Sequence, residues 1–327
     1  HLPLSYKYAI ITPKEEALEC GGNRVLHAAE CVSRKCFGKS MIIRDDGMFR
    51  HSRPWTGAGI AVPVFSLRSK ASVGCGEFLD VKYLVDLCKA MRLSLIQMLP
   101  VNDTSVNDAY TDSYPYSSVS SFALHPMYIC LEACLDYQYV GSGLNKRDVN
   151  DSIRGDIHGL RKSLNMESVD YEATVASKQR IMCKIFKMHK GRCHSDPSFK
   201  AFLLENVHWL APYGCFLALK KVFGHSNQSL WGSMNVCTVA LMKRMISNRA
   251  TVNPEERQGS DKGNNFRTLA DDLLGLFSTD QESMENDGDG GELPSPLGPY
   301  IAYTCFLQFH LHLQLSDASA YAVDQGI

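Results

Sequence analysis

The sequence predicts an α/β protein carrying a helical insert and preceded by a β segment, and three observations support that expectation. Two apolar runs, "GAGIAVPVF" (residues 57–65) and "LSLIQMLPV" (residues 93–101), flank "EFLDVKYLVDLCKAMR", where Phe78, Val81, Leu84, Val85 and Cys88 recur at helical spacing. Residues 1–50 instead alternate in short pieces such as "LSYKYAIIT", "RVLHAAE" and "SMIIRDD", broken by "ECGGNR", which suits β-hairpins. Residues 141–250 offer amphipathic helices, with "YEATVASKQRIMCKIFKMHK" and "SFKAFLLENVHWLAPYGCFLALKKVF" the clearest, and no parallel strand.

Each apolar run lacks polar alternation, so each reads as a strand buried on both faces. Strand, helix, strand is a βαβ unit over residues 51–140. Its crossover is right-handed, its strands are parallel, and the loops after the strands gather at the carboxyl end of the sheet, where such proteins bind ligands. The stretch "DSYPYSSVSSFALHP" (residues 112–126) follows the second strand and therefore lies at that end. Residues 251–298 are polar, acidic and rich in glycine and proline, which predicts a disordered insertion. A last helix occupies residues 299–327.

With 327 residues, 45% of them apolar, the chain can bury a core in more than one domain. A net charge of −1 supports neither a nucleic-acid nor a membrane-surface partner. No apolar run approaches the roughly 20 residues that cross a bilayer, which predicts a soluble protein. His1 stands where a Met would begin a native chain, with no leader after it, so the sequence reads as an internal piece. Twelve cysteines spread through apolar segments read as reduced thiols of a cytosolic protein.

Other constellations carry less. Cys183, His189, Cys193 and His194 superficially suggest zinc, but their spacing matches no usual finger pattern. His310 and His312 sit two apart on a helix and cannot grip one ion as an i, i+4 pair could. Asp271 and Asp272 face apart, as on a solvated helix start. Gly74 and Gly76 in "GCGEFLD" hint only weakly at phosphate and fit a tight turn, with Glu77 well placed at a helix N-terminus. Neither a metal nor an organic cofactor is expected.

The 112–126 loop says more. A sugar ring has apolar C–H faces and a hydroxyl rim, so its site needs flat aromatics with a polar handle beside short hydrogen-bonding side chains. Tyr114 and Tyr116 with Ser113, Ser117 and Ser118 supply both. By composition alone, a surface loop whose serines satisfy their own backbone is the plainer reading.

Taken in order, "GAGIAVPVFSLRSKASVGCGEFLDVKYLVD", "IQMLPVNDTSVND" and "DSYPYSSVSSFALHPMYI" resemble the amylomaltases, the 4-α-glucanotransferases of glycoside hydrolase family 77. "ENVHWLAPYGCFLALKKVFG", "LWGSM" and "QFHLHLQL" are similar to that family's helical insert and to the helix before its third strand, so the likeness covers about residues 57–327 apart from the acidic insertion. It implies the start of a (β/α)8 TIM barrel and a transferase that moves glucosyl units from maltose or maltodextrin to starch- or glycogen-like acceptors. Tyr116 matches the family tyrosine that contacts glucan near the cleavage point, and Pro115 the proline before it. Tyr114 is an extra residue after Ser113, and Ser117 replaces a longer glutamine.

Residues 1–50 resemble the second half of a family 20 starch-binding β-sandwich module through "SYKYAI", with Lys7, and "GGNRVL", with Asn23. Leu18 replaces a tryptophan platform of that module. Such modules ahead of an amylomaltase domain mark the plant-type cytosolic members.

Retaining transfer needs a carboxylate nucleophile and a second carboxyl about 5 to 5.5 Å away. The family's Arg-x-Asp-His, Ala-Glu-Asp-Leu-Gly and Thr-His-Asp segments do not occur here, so no catalytic residue is assigned. Only two barrel strands can be placed where about eight are needed. The chain therefore reads as a fragment or truncated copy, unstable and inactive alone, with a non-catalytic glucan-binding protein as the alternative.

Overall fold

The computed structural model describes residues 4–11, 16–19, 22–26, 56–139, 147–247, 262–278 and 297–327. The chain divides into two compact units, His1–Gly57 and Ala58–Ile327.

In the first unit, β1 (Leu4–Tyr6) pairs antiparallel with β4 (Arg24–Leu26), and β2 (Ala9–Ile11) with β3 (Glu16–Leu18). A buried ion pair ties these pieces together. Arg24 Nε donates to Glu19 Oε2 at 2.8 Å, and the guanidinium lies 4.9 Å from the centre of the Tyr8 ring. Lys7, Leu18 and Asn23 are exposed. The expected strand piece "SMIIRDD" lies outside the described residues.

In the second unit, β5 (Gly59–Val62) and β6 (Leu95–Met98) are parallel, with Gly59 opposite Leu95 and Val62 opposite Met98. Helix α1 (Val81–Ala90) connects them and buries Val81, Leu84, Val85 and Cys88, the positions its periodicity marks. Gly59 permits the close pairing, because a Cβ there would stand 2.3 Å from the Leu95 carbonyl oxygen.

The strands differ from expectation in one respect. Ile60, Val62, Ile96 and Met98 are half-buried, whereas Gly59, Ala61, Leu95 and Gln97 face solvent, so neither strand is buried on both sides. Among the described residues this sheet holds two strands, and its second face has no cover.

The rest is helical: α2 (Leu131–Asp136), α3 (Arg147–Leu164), α4 (Tyr171–Cys193), α5 (Pro197–Phe223), α6 (Val239–Ser247), α7 (Lys262–Ser278) and α8 (Leu297–Gln325). Local chemistry sets the ends of the insert helices. Asp170 caps α4 by accepting from Ala173 N at 2.9 Å, and Asp196 caps α5 by accepting from Phe199 N at 2.8 Å. Pro197 opens α5, and Gly224, at φ 71°, closes it.

Within residues 251–298, most of which the composition marks as a disordered insertion, residues 262–278 form helix α7. Leu269, Ala270, Leu273, Leu274 and Phe277 recur every three or four residues and are buried, with Phe277 packed edge-on to Phe199 at 4.7 Å. That apolar stripe outweighs the polar average of its surroundings. Asp271 and Asp272 are exposed, and residues 251–261 and 279–296 lie outside the described set.

Helix α8 is buried along most of its length and forms the centre of this core. Its His310 is buried and hydrogen-bonded to the Tyr139 hydroxyl at 2.8 Å, while Nδ1 of His312 donates to the Gln308 carbonyl at 2.8 Å. Cys183 and Cys193 are buried, and His189 packs 5.0 Å from the Tyr139 ring. No described helix is long and apolar enough to cross a membrane.

Two buried contacts join this helical layer to the βαβ unit. The Lys178 ammonium, on α4, donates to Glu77 Oε1 at 2.7 Å, the Met127 carbonyl at 2.7 Å and the Ile129 carbonyl at 3.0 Å, which uses all three of its hydrogens. On α8, Gln308 pairs with both backbone groups of Leu124, and Gln314 with both of Cys130, at 2.8–2.9 Å.

Lys178→Met should cost about 3–5 kcal/mol in urea unfolding, because it strands Glu77 as a buried charge; adding Glu77→Gln should return part of that loss. Burial, followed by the nearby His189, lowers the His310 pKa to about 3. Between about pH 6.5 and 3 the unfolded chain binds a proton there that the folded chain refuses, so stability should fall with pH by up to about 1.4 kcal/mol per unit. His310→Gln should flatten that slope.

Candidate functional site

The candidate site is the loop between β6 and the segment that returns to α8. Its two ends are tied together: Asp103 N donates to Ala123 O at 2.8 Å, Val119 N to Asp103 O at 2.8 Å, and His125 N to Val101 O at 3.0 Å. The residues between them form a closed excursion whose shape is set by two buried carboxylates.

Asp103, 1% exposed, accepts from Ser105 N at 3.1 Å, from the Ser105 hydroxyl and, on its other oxygen, from the Tyr213 hydroxyl at 2.7 Å. Asp112 accepts from Asn107 N at 2.6 Å, Asp108 N at 2.7 Å and the Asn107 side-chain amide at 3.2 Å. Lys220 reaches in from α5 to Asp108 at 2.7 Å and the Ser105 carbonyl at 3.0 Å, holding Asp108 at φ 56°. Glu172, in the first turn of α4, accepts from Tyr110 N at 2.8 Å. The loop is therefore braced from below and from the helical insert.

On the far side, His125 Nδ1 accepts from Met127 N at 3.1 Å, which leaves Nε2 to donate to the Tyr171 hydroxyl at 2.8 Å. Burial lowers the His125 pKa, so this ring is a neutral structural link.

Five of the site residues expected from the sequence, Ser113, Tyr114, Pro115, Tyr116 and Ser117, lie at the tip. Ser113 and Ser117 are exposed, Pro115 is half-buried, and Tyr114 and Tyr116 are each 60% exposed. The two tyrosine rings sit 5.5 Å apart at a tilt of 46°. Neither tyrosine is packed into the interior, and none of the five lines the cavity of about 370 Å³ between the base of this loop, α5 and α8. Lys7 and Asn23 belong to the other unit.

The supporting residues Asp103, Asp112, Lys220 and Lys178 were not singled out by the sequence reading. A signal existed for Asp103: Asp followed two residues later by Ser is the pattern of a side chain folding onto its own backbone.

A 4-alpha-glucanotransferase family model, that of glycoside hydrolase family 77, matches residues 62–251, a stretch that contains this whole loop and helices α4 and α5. The chain belongs to that family. Within family 77, it is 36% identical over 98% of its length to the 4-alpha-glucanotransferase DPE2 of Oryza sativa subsp. japonica, covering 28% of that protein. It is 32% identical over 50% of its length to the 4-alpha-glucanotransferase of Chlamydia pneumoniae, again covering 28% of the relative. The chain thus spans less than a third of the curated family 77 relatives it matches. Among solved structures, the amylomaltase from Corynebacterium glutamicum aligns over 83% of this chain and 29% of its own, with a TM-score of 0.47 and 16% identity.

Asp112→Ala should leave the Asn107 and Asp108 amides without their acceptor, at about 1–3 kcal/mol. Hydrogen exchange should speed up at those amides by about tenfold or more, with little change in the α1 amides.

Proposed function

We propose that this chain is the glucan-gripping portion of a 4-α-glucanotransferase that moves glucosyl units from maltose or maltodextrin to a starch- or glycogen-like acceptor. The observation that carries the reading is the pair of exposed, mutually packed tyrosines, Tyr114 and Tyr116, on a carboxylate-braced rim just past β6. An exposed aromatic pair is costly to leave in water unless it meets a partner, and α-glucan offers flat C–H faces with hydroxyls for Ser113 and Ser117.

The reaction is a retaining double displacement. One carboxylate attacks the anomeric carbon as the glycosidic bond breaks, a second carboxyl protonates the leaving oxygen, and the acceptor hydroxyl then displaces the enzyme with its proton returned to that carboxylate. Asp103 and Asp112 do not suit those roles, since both are occupied in shaping the loop. No residue of this chain is assigned either carboxylate role.

Residues 1–50 are read as part of a starch-binding module, with Lys7 and Asn23 meeting glucan. The expected location is the cytosol, where the reduced cysteines would persist.

Retention on amylose resin tests the reading. The wild-type chain should be retained, and Tyr116→Ala should elute earlier by a several-fold loss of affinity; equal retention removes the assigned role. In a parallel assay of glucose release from maltose with glycogen present, this chain alone should be inactive.

A further inference from the structure

The cavity of about 370 Å³ beneath the loop lies between residues 103–108, the C-terminal turns of α5 and the N-terminal half of α8. We propose that it binds a neutral saccharide of one or two rings, as a site separate from the Tyr114–Tyr116 rim. The inference rests on the saccharide reading above and extends it to a second place on the chain.

Size and wall chemistry both point that way. The volume lies at the small end of the roughly 300–1,000 Å³ typical of small-molecule sites. Tyr300, half-buried, gives a flat face, Leu217 and Leu307 add apolar surface, and Tyr303, 2% exposed, lies within the wall. Burial raises the pKa of both phenols, so they stay protonated at neutral pH. Gln179, Thr304 and Asn107 add neutral groups at the wall; the amide nitrogen of Asn107 is committed to Asp112, which leaves its oxygen to accept from a hydroxyl. Nδ1 of His225, another lining residue, is buried with no hydrogen-bond partner among the described residues.

The charges decide against an anion. Lys220 is neutralised by Asp108, Asp103 faces the same space, and Lys221 lies 5.0 Å from the centre of the Tyr300 ring. Two lysines against two aspartates provide no surplus of cationic donors for a phosphate. Two left-handed corners, Asp108 at φ 56° and Gly224 at φ 71°, frame the cavity. For Asp108 that conformation is strained, and the Lys220 contact maintains it.

Ring-labelled tyrosine NMR on the full chain, assigned by single Tyr→Phe changes and titrated with maltose, tests this. Tyr300 and Tyr303 signals should shift saturably. Leu217→Trp, which fills the cavity, should weaken that response by about tenfold or more while the Tyr114 and Tyr116 shifts persist. Lys221→Ala, at an exposed position, should weaken it several-fold and serves as the reporter if Leu217→Trp fails to fold.

Unmoved Tyr300 and Tyr303 signals overturn the inference. So does unchanged affinity in a folded Leu217→Trp, or in Lys221→Ala when that variant is the reporter, or tighter binding of a sugar phosphate than of maltose. Shifts at Tyr114 and Tyr116 alone would remove the cavity site and leave the rim; shifts at Tyr300 alone would do the reverse.

Discussion

The Lys178 ammonium is the point on which the second unit is organised. It is 1% exposed and meets one carboxylate and two carbonyls from separate parts of the chain: the turn before α1, and the segment after the loop. A buried charge is tolerated only when every donor is matched, so the three acceptors must arrive together. Glu77 is brought into place by its own N-cap geometry, in which Asp80 accepts from the Glu77 amide at 2.7 Å. The glycine turn before it is equally constrained, since a Cβ on Gly76 would stand 2.0 Å from the Val64 carbonyl oxygen. The weak phosphate hint in "GCGEFLD" thus resolves into packing.

From that anchor the loop inherits its rigidity. Its far end is fastened by Lys178 and the two glutamines of α8, its near end continues β6, and its interior is filled by the Asp103 and Asp112 networks. The tyrosines at its tip are free to meet solvent because nothing in the brace depends on their side chains. A rim ordered before binding loses little further entropy when a ligand arrives.

How much of this the sequence disclosed follows from which forces leave a periodic trace. Helix α1 and the parallel pair were legible because apolar spacing encodes the buried side directly, and the ordered loop motifs carried the family. The one-sidedness of β5 and β6 was not, since an apolar run reads alike whether its second face is covered or open. Helix α7 was hidden by averaging its stripe with polar flanks. Lys178, Gln308 and Gln314 were the hardest to find. A buried polar residue that satisfies partners distant in sequence looks, in one dimension, like part of a wet helix face.

Gln308 and Gln314 have one further consequence. Each contacts a residue 184 positions earlier, so six residues of helix are matched against six residues of the returning segment. Six helical residues advance about 9 Å, whereas six extended ones would cover about 20 Å. The returning segment must therefore shorten by half, and the 3-10 turn Pro126–Tyr128 lies between the two contacts to take up the difference. The pair of amides works as a caliper: it admits one contour length there, and a single inserted or deleted residue would pull one end of the segment off its helix.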